Sequence, residues 1–223
     1  MQRLTVQPQL VDRAYGAILD EICTGRLAPG QRVVQDELAE RLAVSRQPVL
    51  QALLLLKRQG FLHETGRRGL MVAPIEPVFT AHLYELRRAL DGVAAHGAAL
   101  RHTASSATAG RALIERGRRV VSSGDTAAMI AADIAFHRFI YELSGNKLIA
   151  ETATLHWHHI RRVMGQVLRE AGRLGTIWDE HEGILDAVLR GNADEAEARS
   201  RHHAERAAQA LIAELTLSLE QAV

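Results

Sequence analysis

The chain has 223 residues, 47% of them hydrophobic, and a formal net charge of +1, so it can bury a substantial core without cross-links. Its single cysteine, Cys23, excludes an intrachain disulfide and reads as a small buried hydrophobe in a reducing, cytoplasmic compartment. No apolar run approaches the roughly 20 residues of a membrane-spanning helix, and the N-terminus carries no basic segment followed by a hydrophobic stretch of the secretory kind.

In chain order, Leu10, Ala14, Ala17, Ile18 and Ile22 recur at helical spacing and Gly25 follows as a C-cap, which predicts a first helix. Leu27-Ala28-Pro29-Gly30-Gln31 is a turn, and a short helix follows from about Gln35 to Leu42. Ser45 stands as N-cap of a third helix, Arg46 to about Gln59, with Pro48 in its first turn and Val49, Ala52, Leu53 and Leu56 as its core stripe. Gly60 stops it. Phe61-Leu62 and Leu70-Met71-Val72 then flank the polar turn Glu64 to Gly69, a β-hairpin with a basic tip at Arg67 and Arg68. Three helices and a hairpin describe a winged helix-turn-helix over residues 1–75. That segment holds 10 Lys and Arg against 7 Asp and Glu, whereas the remainder holds 17 against 19, which suits a DNA-binding head on a near-neutral body.

The run Gly25 to Gln31, then Glu37-Leu38-Ala39-Glu40-Arg41-Leu42-Ala43-Val44-Ser45-Arg46-Gln47-Pro48-Val49, and on through Ala52-Leu53 and Gln59-Gly60-Phe61, closely resembles the GntR family of regulators. The resemblance implies that Ser45, Arg46 and Gln47 face DNA from the start of the recognition helix, where an arginine pairs with guanine, a glutamine with adenine, and Ser45 donates to a phosphate. Arg67 and Arg68 are placed for phosphate or minor-groove contact. Two positions depart from the family pattern: Leu50-Gln51 stands where Arg-Glu is usual, and Asp36 replaces a basic residue. Leu50 either packs on a thymine methyl or rests against the second domain, and the expected operator is correspondingly weaker or differently specified.

Pro74 and Pro77 mark a linker, and residues 76–223 show only helical periodicity: about Val78 to Arg101, Ser105 to Ser122, Thr126 to Leu143, Leu148 to Ala171, Thr176 to Leu189 and Ala193 to Leu217. Six helices with short turns predict an all-α bundle, so the fold class is mainly α, a winged head plus a six-helix C-terminal ligand-binding bundle. Arg87-Arg88-Ala89-Leu90-Asp91, Asp133-Ile134-Ala135-Phe136-His137, Ser144-Gly145-Asn146, His181 and His203 resemble the FadR-type (FCD) ligand domain, closer to its VanR-like subgroup. The resemblance implies a metal held by Asp133, His137, His181 and His203.

Physical reasoning supports the same set. Asp133 and His137 are four apart on one helix and project from one face, while antiparallel packing of the last two helices brings His181 and His203 toward one layer. Three imidazoles and a carboxylate suit Zn, Ni, Mn or Fe. Arg87 offers a fork for the carboxylate of a small effector. Asn146 either caps the next helix or hydrogen-bonds near the pocket, and His159 or its neighbour lines it. The expected protein is a homodimeric regulator on a palindromic operator, acting as a repressor under a carboxylic-acid effector. Two rivals stay open: a metal-dependent hydrolase, and a degenerate member that has lost DNA binding.

Overall fold

The computed structural model describes residues 8–66, 69–171 and 177–221, and the chain divides into two compact units, residues 1–75 and 76–223. The first unit runs α1 (Pro8–Cys23), β1 (Arg32–Val33), α2 (Gln35–Arg41), α3 (Arg46–Arg58), β2 (Leu62–Thr65) and β3 (Gly69–Val72). The second consists of α4 (Pro77–Ala99), α5 (Ala104–Ser123), α6 (Thr126–Leu143), α7 (Lys147–Ala171), α8 (Ile177–Leu189) and α9 (Ala193–Gln221).

In the first unit, Ile18 and Ile22 of α1, Leu38 of α2 and Val49, Leu53 and Leu56 of α3 form one apolar core, closed by Phe61 and Val72. The hairpin pairs antiparallel with Leu62 opposite Val72 and Thr65 opposite Gly69. The periodicity reading missed a third strand: β1 adds to the outer side of β3, with Arg32 opposite Met71, giving the order β1-β3-β2. Two residues are too short to show alternation, and what places them is the preceding turn. Gly30 adopts φ +76°, its N–H donates to the Val72 carbonyl, and the Val72 N–H returns a bond to the Gln31 carbonyl. Between α2 and α3, Ala43 takes φ +52°, which lets the Ala43 and Val44 amides bond back to Glu40 and Ala39 and turns the chain sharply into α3.

In the bundle, local chemistry sets the helix ends. Thr103 and Ser106 form a reciprocal capping box at the start of α5, Asp125 accepts from the Ala128 amide at the start of α6, and Gly124 closes α5 at φ +69°. α4 packs most extensively along α9. Close approach of the helices depends on glycine: a Cβ on Gly110 would stand 2.6 Å from Leu185, and one on Gly117 only 2.1 Å from the Trp178 ring. α5 is thereby drawn onto α8, the helix that carries His181.

Candidate functional site

Three helices bring one carboxylate and three imidazoles together in the bundle interior. α6 contributes Asp133 and His137, four residues apart on its buried face; α8 contributes His181 and α9 His203. All four are buried, and one ligating atom from each lies within 4.8 Å of the others. His181 Nε2 is 3.2 Å from His203 Nε2 and 3.4 Å from Asp133 Oδ1, and His137 Nε2 is 3.9 Å from that same oxygen. Ligands about 2.0–2.1 Å from a tetrahedral ion stand roughly 3.3 Å apart, close to the spacings of the His181 pairs.

The surroundings set which ring nitrogen faces inward. His203 donates from Nδ1 to Glu180 Oε2 over 2.8 Å, so in the neutral ring Nε2 carries the lone pair. Burial alone would push the Glu180 carboxyl up, but the His203 hydrogen bond and the charge of Arg206 offset this and hold it below the usual range. His137 Nε2 accepts from Arg87 Nη2 over 2.6 Å, because arginine can only donate, and its Nδ1 lies 3.5 Å from Asp91 Oδ2. Burial, then the charge of Arg87 and the other imidazoles, depresses the His137 pKa well below 6.5; His181 is depressed likewise. The Asp133 carboxyl is raised by burial, with Arg87 and His203 opposing. Two buried polar atoms of the cluster, Asp133 Oδ2 and His181 Nδ1, have no hydrogen-bond partner among the described residues. The facing nitrogens of His181 and His203, a nearby carboxylate and an orphaned acceptor fit a divalent cation, which His137 would join by giving up its bond from Arg87.

The effector candidates of the sequence reading fare differently. Arg87 does reach the cluster, yet its fork is engaged within the protein: Nε bonds to Asp91 at 3.2 Å, Nη1 to the Tyr84 hydroxyl at 3.2 Å and Nη2 to His137. Asp91 in turn accepts from Tyr141. Asn146 stands on the surface and its Oδ1 caps α7 by accepting from the Leu148 amide, so it does not join the cluster. His159 is buried edge-on against Phe79, with ring centroids 5.0 Å apart. It is the neighbour, His158, that lines a half-open groove of about 400 Å³ between α6 and α7, together with Ile134, Arg138, Thr154, Trp157 and Arg161. The Trp157 ring divides groove from cluster, lying 4.7 Å from the Arg87 guanidinium and 5.2 Å from the His137 ring. Sequence reasoning passed over Glu180, because only packing across helices brings it to His203.

In the first unit, Ser45, Arg46, Gln47 and Leu50 are all exposed on α3 or at its start, and Leu50 keeps 36% of its surface. Ser45 occupies the N-cap position in extended backbone, but its side chain makes no capping bond and its hydroxyl is left for other partners. Arg67 and Arg68 lie outside the described residues.

Comparison with known proteins agrees with this architecture. Residues 82–219 match the family described as FCD domain, and residues 10–72 match bacterial regulatory proteins, gntR family. The chain is 29% identical over 192 residues to an HTH-type transcriptional regulator in an unstable DNA locus of Streptomyces ambofaciens, covering 85% of this chain and 79% of that protein. It is 28% identical over 206 residues to a protein of Paenarthrobacter nicotinovorans described as a probable D-xylose utilization operon transcriptional repressor, covering 91% and 87%. Among solved structures, E. coli McbR/YncC superposes with a TM-score of 0.79 at 19% identity, covering 91% of this chain and 96% of that one, a likeness of fold.

Proposed function

Because the chain belongs to the gntR family of bacterial regulatory proteins and carries an FCD domain, it is a transcription regulator, and we propose that a divalent metal and a small carboxylate held in its helical bundle control how firmly its head binds an operator. The observation that carries this reading is the buried set Asp133, His137, His181 and His203, gathered from three helices with its ligating atoms mutually within 4.8 Å. A bound ion would supply a Lewis-acidic centre for an effector oxygen. Glu180 fixes the His203 tautomer and Asp91 holds both Arg87 and Tyr141, so the surrounding residues orient the donors before any ligand arrives. An effector carboxylate that pairs with Arg87 replaces His137 as its acceptor, and Trp157, in contact with both residues, carries that rearrangement to the α6–α7 groove.

The head reads DNA with the start of α3, through Ser45, Arg46, Gln47 and Leu50, and touches the neighbouring backbone with Arg67 and Arg68. Two copies in a symmetric dimer place two such helices on a palindrome. The exposed apolar residues Phe79, Leu86 and Val93 of α4 and Leu100 at its C-cap, spaced every seven positions, support a second copy as the partner. By analogy with the P. nicotinovorans relative, we assign repression as the sign of control.

The test has two arms. Metal content of the purified protein should be about one ion per chain and should vanish in the His181→Ala, His203→Ala double variant; full retention there refutes the metal assignment. Selection from a random duplex library should enrich a palindrome whose affinity changes when a chelator or a panel of small carboxylic acids is added. A protein with no preference for any duplex at low salt ends the DNA-reading proposal.

A further inference from the structure

One of the two positions at which this chain departs from its family's basic pattern, Asp36, touches a DNA-reading candidate directly. Asp36 lies in the first turn of α2, and its Oδ1 forms an ion pair with Arg46, 2.8 Å from Nε. A hydrogen bond ties the same two helix starts together: Gln35 Nε2 donates to the Arg46 carbonyl over 2.8 Å. The Arg46 side chain is otherwise open to solvent, 72% exposed, and among the described residues no other partner engages its guanidinium. Among the described residues, only its Nε side is approached. The two terminal nitrogens, Nη1 and Nη2, stay free at the outer end of the fork, the pair that meets O6 and N7 of a guanine.

We propose that Asp36 is a specificity-determining residue, which holds Arg46 by its Nε so that the free end of the guanidinium reads a guanine in the operator. This inference rests on the reading of α3 as the DNA-contacting helix. An exposed ion pair of this kind adds little to stability, so its consequence lies in orientation. An unrestrained arginine at the front of a recognition helix pairs with whichever phosphate lies nearest, giving affinity without sequence information. A carboxylate at Asp36 is itself repelled by phosphates and makes no attractive contact with the backbone. The pair therefore exchanges affinity for any DNA for discrimination at one base pair in each half-site, and the two effects have opposite signs when Asp36 is removed.

The experiment uses the full chain. A preferred duplex is selected from a random library with the wild type, and each of its base pairs is then replaced in turn. Asp36→Ala should bind random DNA severalfold more tightly while losing about tenfold discrimination at a single guanine position per half-site. Arg46→Ala should lose discrimination at that same position, and the double variant should lose no more. Asp36→Glu, which keeps the carboxylate, should restore part of the preference, and thermal unfolding of each variant checks that the head remains folded. If Asp36→Ala gains equally on selected and random duplexes, Asp36 is only a repulsive charge and the inference fails. Equal losses on both give a purely structural role, which also overturns it. A wild type that selects no duplex at all removes the reading of α3 together with the inference, whereas selection with unchanged discrimination in Asp36→Ala removes the inference alone.

Discussion

Head and bundle treat polar groups in opposite ways. Among the described residues of the first unit every buried side chain is apolar or proline, and the residues read as DNA contacts sit on the surface of α3. The bundle instead buries Arg87, Asp91, Asp133, His137, His181 and His203 in its centre. The head is an apolar scaffold that displays chemistry outward, so its surface can change without disturbing its core. The bundle keeps its chemistry inside, where each charge or imidazole carries a desolvation cost met only by its neighbours. Substitutions at the bundle centre therefore couple stability to ligand binding, and those on the exposed face of α3 do not.

The sharpest way to break this contrast is to damage one core and watch the other. Phe61 is fully buried under the sheet, and Phe61→Ala should destabilise the head by about 4 kcal/mol. Calorimetry should then show the head melting early with the bundle transition unmoved; a single shared transition would mean that the units do not fold independently. In the bundle, Gly117→Ala forces a Cβ against Trp178, whose ring lies 4.8 Å from that of His181. The expected cost is about 2–3 kcal/mol. Metal affinity should weaken with it, measured by titration, while duplex binding by the metal-free protein stays as in the wild type.

Acid should separate the two units more gently. His137 and His181 are held neutral well below their ordinary value of 6.5, so below that pH the unfolded chain takes up protons that the folded bundle refuses. Stability is thus present above about pH 6.5 and declines as pH falls, by about 1 kcal/mol per pH unit for each histidine. Melting from pH 7 to 5 should lower the bundle transition and leave the head nearly still; equal shifts would contradict the assignment of the buried imidazoles. The smallest effect compares two helix starts. Thr103→Ala should cost about 1 kcal/mol because it removes a working capping box, whereas Ser45→Ala should barely change the head's melting point, since Ser45 makes no side-chain cap. A large loss at Ser45 would show that its hydroxyl serves the fold rather than DNA.

Much of this architecture was readable in the chain. The spacing of apolar residues, Asp125 before Thr126 and Ser144-Gly145 after Leu143 anticipated both ends of α6, because caps act over a single turn. Asp133 and His137 were legible as one face for the same reason. β1 was not, since a two-residue strand exists only through its partner β3.

Local sequence, then, determined the helices, the hairpin and the shared face of Asp133 and His137, because periodicity, capping and i,i+4 geometry are properties of a few adjacent residues, whereas His181 and His203 were added to that pair by the family resemblance. Tertiary packing alone decided that Glu180 would orient His203, that Arg87 would bond to His137, that Trp157 would stand between groove and cluster, and that Asp36 would meet Arg46. Each of these contacts joins side chains on different helices. Their distances follow from how the helices cross, and that depends on small residues such as Gly117 far along the chain from the groups they bring together.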